Sequence, residues 1–94
     1  MSAPEQDQIV KQLREQISDV DRAIVDGINK RLKLVEQLWR YKESRGIPVL
    51  APDREEWMVT YLTRANRGPL SEDGLRAIYA EVLALTKREL GSGA

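Results

Sequence analysis

The stretch Gln8–Arg45, QIVKQLREQISDVDRAIVDGINKRLKLVEQLWRYKESR, decides the fold of this chain. It contains no proline, and Gly27 is its one glycine. Val10, Arg14, Ile17, Val20, Ile24, Ile28, Arg31, Val35, Leu38 and Lys42 recur at steps of three or four, the spacing that brings side chains to one face of an α-helix. Gly46 follows as a helix stop and Pro48 reinforces it. The expected helix is about 38 residues and roughly 57 Å long, longer than a small globular domain.

Two shorter helices are expected downstream. The second starts at Pro52 or Asp53, because proline suits the first turn and acidic residues favour it. Its expected inward stripe is Arg54, Met58, Tyr61 or Leu62, and Ala65, and Arg67-Gly68-Pro69 ends it. Ser71 is a good N-cap for the third helix, with Glu72 and Asp73 in its first turn. That helix carries Leu75, Ile78, Tyr79, Val82, Thr86 and Leu90 at helical spacing. No strand pattern, repeat or low-complexity segment is present.

Helices of about 15 and 19 residues cannot cover a stripe ~57 Å long. A long helix with an uncovered apolar face pairs with another copy. The expected architecture is therefore all-α, with one long and two shorter helices per chain in an intertwined homodimer. Residues 8–90 form the helical domain, between a flexible start at 1–7 and a flexible tail at 91–94.

Composition narrows the function. The 94 residues allow one small domain. Lys plus Arg and Asp plus Glu balance at 15 each, so no basic field draws nucleic acid or membrane. Cysteine is absent, which fits a reducing compartment. Histidine is absent too, removing the commonest general base and zinc ligand. Any catalysis rests on carboxylates, hydroxyls or fixed cations, without a metal or cofactor. The N-terminal MSAPEQDQ lacks a signal-peptide core, and no run reaches the ~18 apolar residues of a membrane span. The expectation is a soluble, cytoplasmic protein.

Seven members of the long stripe are aliphatic; Arg14, Arg31 and Lys42 are cations. A charge on a buried face is costly unless paired, and these three point to an anionic ligand. The alternative is that each reaches from the stripe's edge to water. Arg31 and Lys42 lie roughly 16 Å apart along the helix axis, close enough for two long side chains to clasp one small polyanion. Arg14 lies roughly 42 Å from Lys42 and cannot reach the same molecule within one straight helix. In an antiparallel dimer the partner's copy can. Arg54 opens the second helix, where a guanidinium can grip a carboxylate with two hydrogen bonds. Glu55 beside it fits pairing with the helix dipole. Thr86 is either a core hydroxyl bonded to its own helix or a ligand contact. Trp39, Trp57, Tyr41, Tyr61 and Tyr79, at helical spacing among aliphatics, fit packing better than a binding platform.

These residues fall into a familiar order. LREQISDVDRAIVDGINKR, then LWRYK, then the loop into PDREE, and finally GLRAIYAEVLALT together resemble the all-helical (AroQ-class, type II) chorismate mutases. The resemblance runs from about Leu13 to Leu90. Each piece is weak alone; their order and gaps make the likeness fairly specific. It implies an intertwined dimer that rearranges chorismate to prephenate. That pericyclic step needs no proton transfer or covalent intermediate, in agreement with a chain lacking His and Cys. It also implies individual roles. Arg31 binds one substrate carboxylate and Arg14 of the partner chain the other. Lys42 donates to the ether oxygen and a nearby carboxylate, Glu55 accepts from the substrate hydroxyl, and Arg54 supports the site. Thr86 matches a Ser position that contacts substrate, and Leu38 and Leu83 match apolar walls.

The chain departs from that pattern in places. Leu90 stands where the family commonly has a Gln that donates to the ether oxygen, leaving Lys42 almost alone on the breaking bond. Losing one such donor costs ~10²-fold or more in rate. Leu50-Ala51 replaces a polar loop pair, and Trp39 stands where a small residue is common. Some relatives are slow alone and are activated by a partner enzyme of the shikimate pathway. Others act as mutases or pyruvate lyases on isochorismate or 4-amino-4-deoxychorismate. A helical dimerisation or regulatory module without catalysis is the remaining alternative.

Overall fold

The computed structural model describes residues 7–91. The ends expected to be flexible lie outside the described residues, apart from Asp7 and Gly91. The described residues form three helices and no strand: α1 (Gln8–Ser44), α2 (Pro52–Ala65) and α3 (Glu72–Glu89).

Helix α1 runs unbroken for 37 residues. Asp7 opens it: its Oδ1 accepts from the backbone N–H of Ile9 at 2.9 Å and of Val10 at 3.1 Å, satisfying donors that a helix start leaves free. Gly46 closes it at φ +69°. The Ile47 N–H donates to the Lys42 carbonyl at 2.9 Å, and the Gly46 N–H to the Glu43 carbonyl at 3.2 Å. This is the Schellman arrangement, which needs the left-handed conformation that glycine adopts without strain.

Helix α2 has Pro52 in its first turn with Asp53 and Glu55. It stops at Ala65, ahead of the Arg67-Gly68-Pro69 break. Asn66 accounts for the difference: its Oδ1 accepts from the Gly68 N–H at 3.0 Å and its Nδ2 donates to the Leu70 carbonyl at 2.7 Å. An Asn side chain that bonds nearby backbone competes with helix continuation. Helix α3 starts as expected, with the Ser71 Oγ accepting from the Gly74 N–H at 3.0 Å.

The chain divides between Arg31 and Leu32 into two units. In the first, Leu13, Ile17 and Val20 line an open apolar shelf of about 250 Å³. In the second, α2 packs against α3. The first turn of α2 meets the last turn of α3 through Glu55 and Lys87, so the two helices run antiparallel.

Among the described residues, only Leu75 and Thr86 are buried. The covered face of α2 passes through Glu55, Met58, Val59 and Leu62, not the expected Arg54, Tyr61 and Ala65, which are exposed. The displaced aromatics meet each other: the rings of Trp57 and Tyr61 stack in parallel, with centroids 5.2 Å apart. On α3, Ile78 is exposed, while Leu75, Tyr79, Val82, Thr86 and Leu90 are covered to differing degrees.

The stripe on α1 stays largely uncovered within one chain. Ile17, Val20, Ile24 and Leu38 are all at least half exposed, Ile24 at 55%. Apolar area on this scale drives association.

Candidate functional site

Five of the expected site residues come from the second unit besides Arg54: Leu38 and Lys42 on α1, Glu55 on α2, and Leu83 and Thr86 on α3. Arg14 and Arg31 belong to the first unit. Arg14 is exposed and Arg31 half-buried.

Lys42 sits in the last turn of α1. Its Nζ donates to the Val49 carbonyl at 3.4 Å, a long bond, and the side chain is half-buried. One residue therefore serves twice at this corner. Its carbonyl closes the helix, and its ammonium reaches the loop that leads to α2. A lysine whose bond among the described residues is a long one to a carbonyl keeps donor capacity for a ligand, because an ammonium carries three protons.

Glu55 and Leu83 line one cleft of about 340 Å³ between α2 and α3, together with Pro52, Glu56, Val59, Arg76 and Ala80. On the α3 side, Arg76, Ala80 and Leu83 are spaced by four and three residues, one face of the helix. Lys87 continues that face one turn further. Its Nζ meets Glu55 Oε1 at 3.2 Å, with both side chains about one-third exposed. Arg76 is occupied at the other end of the cleft by Glu72, at 3.5 Å.

Thr86 is only 4% exposed. Its hydroxyl donates to the Val82 carbonyl at 2.7 Å, the bond to its own helix expected as one of two readings of this residue. Arg54 is exposed and lies over the Trp57 ring, 3.9 Å from guanidinium carbon to centroid, a cation–π contact. Leu38 is half exposed. Leu90 caps α3, its N–H donating to the Thr86 carbonyl at 3.0 Å.

The residue that sequence reasoning missed is Lys87. In the last turn of a helix, a lysine is fully explained by the helix dipole. Its i+4 step from Leu83, an expected wall residue, was the available signal.

A lysine on the last turn of a long helix, a carboxylate on the first turn of the next, and a small hydroxyl and an apolar wall on the third recur in the order of the resemblance. The sequence model of the family described as "Chorismate mutase type II" matches residues 13–89. The chain belongs to the type II chorismate mutase family. It is 35% identical over 81 residues to the T-protein of Haemophilus influenzae, covering 85% of this chain and 20% of that protein. It is 28% identical over 79 residues to the bifunctional chorismate mutase/prephenate dehydratase of Aquifex aeolicus, covering 80% of this chain and 22% of that protein. The chain thus spans about a fifth of the length of the curated relatives it matches. A solved structure of Thermus thermophilus chorismate mutase (form II) superposes with a TM-score of 0.83 at 28% identity, covering 92% of this chain and 98% of that one. This chorismate mutase family member shares the all-helical fold of that neighbour. Among its described residues no helix is long and apolar enough to cross a membrane.

Proposed function

We propose that this chain rearranges chorismate to prephenate in a homodimer with two shared sites. The observation that carries the reading is that Glu55 and Leu83 share one cleft between α2 and α3, in a family member that also has Lys42 in the last turn of α1 and Thr86 on α3. The Aquifex aeolicus relative and the structural neighbour bear names containing chorismate mutase.

The reaction breaks a C–O bond and forms a C–C bond within one molecule. Two demands follow. The flexible dicarboxylate must be held in its compact chair-like conformer, which removes rotational freedom before the chemical step. Negative charge growing on the ether oxygen must also be met by donors already in place. Arg31 and the Arg14 of a second copy hold the two carboxylates. Lys42 faces the ether oxygen and a nearby carboxylate. Glu55 accepts from the ring hydroxyl, Arg54 supports the site, and Leu38 and Leu83 keep water out. None of these roles requires a proton to move, so a site without His or Cys suffices. The site is completed across the dimer, where the uncovered stripe of α1 finds its partner face. Residues 8–90 act there as one domain, working in the cytoplasm, as the absence of cysteine favours.

Leu90 and Leu50-Ala51 support a modest rate for the isolated protein and activation by an enzyme of the same pathway. The same residues favour a second reading, in which the site takes isochorismate or 4-amino-4-deoxychorismate, or has lost catalysis. Purified protein incubated in parallel with these two compounds and chorismate, with product identification, separates the readings. Prephenate from chorismate supports the first; turnover of only a sister substrate, or of none, rejects it.

A further inference from the structure

The Glu55–Lys87 pair calls for an explanation beyond stability. Each partner is about one-third exposed, and ion pairs exposed to that degree contribute little to folding. Glu55 also needs no cation to be tolerated, since the first turn of α2 already favours a carboxylate. The helix dipole is non-directional at this level: it accepts several rotamers of Glu55. A lysine at 3.2 Å selects one. The selected rotamer is the one directed at α3, where Leu83 lies one turn before Lys87 and lines the same cleft as Glu55.

We propose that Lys87 is a positioning residue for the reaction, fixing the Glu55 carboxylate so that its second oxygen accepts the substrate's ring hydroxyl. The proposal rests on the chorismate reading above. Lys87 binds one carboxylate oxygen, Oε1, and a carboxylate has two. Oε2 remains for the hydroxyl, and its direction is set by the bond at Oε1. Glu56 and Arg76 line the same cleft without taking this role: Arg76 is held by Glu72, and Glu55 is the carboxylate that Lys87 meets.

The hydroxyl contact exists in the bound substrate as well as in the transition state, so its loss appears mainly in KM. The test compares wild type, Lys87→Met and Lys87→Arg on chorismate and on the analogue in which hydrogen replaces the ring hydroxyl. On chorismate, Lys87→Met should lose about fivefold in kcat/KM, chiefly through KM, the scale of a partly exposed ion pair, while Lys87→Arg keeps most activity. On the deoxy analogue, wild type and Lys87→Met should be alike. Equal losses on both substrates would show that Lys87 merely braces the helices and would overturn the proposal, as would an unchanged Lys87→Met. Lys87→Gln repeats the comparison if the Met variant loses its helical circular dichroism. A folded wild type inert towards chorismate and its analogue overturns the chorismate reading instead, a result distinct from either of the others.

Discussion

The Lys87 ammonium and the Glu55 carboxylate meet at 3.2 Å, tying the last turn of α3 to the first turn of α2. Each residue sits at the helix end its charge favours, so two local preferences and one tertiary contact agree. The pair lies where the antiparallel helices bring Leu83 and Glu55 to one cleft. A single contact thus couples helix pairing to the geometry of the proposed site.

The uncovered stripe on α1 predicts that the folded state depends on a second copy. Ile24 is 55% exposed in one chain, where a charge would cost almost nothing. In a dimer the same charge would be buried without a partner, a severe penalty. Ile24→Glu should therefore abolish the dimer in analytical ultracentrifugation and lower helicity. A variant as dimeric and helical as wild type would contradict the account.

A site shared between chains predicts complementation. Arg14→Ala and Lys42→Ala each leave every homodimer site defective. A mixed dimer carries one site with both groups intact and one lacking both. Random pairing of unfolded and refolded variants should recover about a quarter of wild-type activity, as two-fold symmetry dictates. No recovery would place Arg14 outside the partner's site.

Leu90 predicts a gain of function. It caps α3 with its N–H on the Thr86 carbonyl, at backbone angles open to any side chain. Leu90→Gln adds a donor without asking the backbone to move. The rate constant kcat should rise by about tenfold or more, with KM little changed, since a preorganised donor at developing charge acts mainly in the transition state. An unchanged kcat would separate Leu90 from the breaking bond.

Gly46 predicts a local cost. Its φ of +69° is strained for any residue with a Cβ, although no atom lies within 4 Å of one built there. Gly46→Ala should destabilise by about 1–2 kcal/mol through backbone strain alone, read as a lower thermal midpoint. Because the Lys42 carbonyl takes part in this cap, kcat should fall as well.

Much of this was legible in sequence where local chemistry decides. The span of α1, its stop at Gly46 and the Ser71 cap follow from residues acting on their own neighbours. The family followed from motif order. Asp7 as the cap of α1 and Asn66 as the stop of α2 were missed, although both act locally. Facing was harder. A shift of one position separates the expected Arg54 face of α2 from the observed Glu55 face, and only packing against α3 chooses between them. Lys87 was hidden for a different reason: the helix dipole supplied a sufficient local explanation, and its partner lies 32 positions away.

Lys42, reaching from the end of α1, is the group proposed to stabilise the charge that grows on the ether oxygen of chorismate. The most direct measurement is prephenate formation by wild type and Lys42→Ala at matched fold, checked by circular dichroism. Wild type should show measurable turnover and the variant a loss of at least ~10²–10³-fold in kcat, the cost of removing a main donor to developing charge. Equal rates for the two proteins, or two equally inert proteins, would contradict that role.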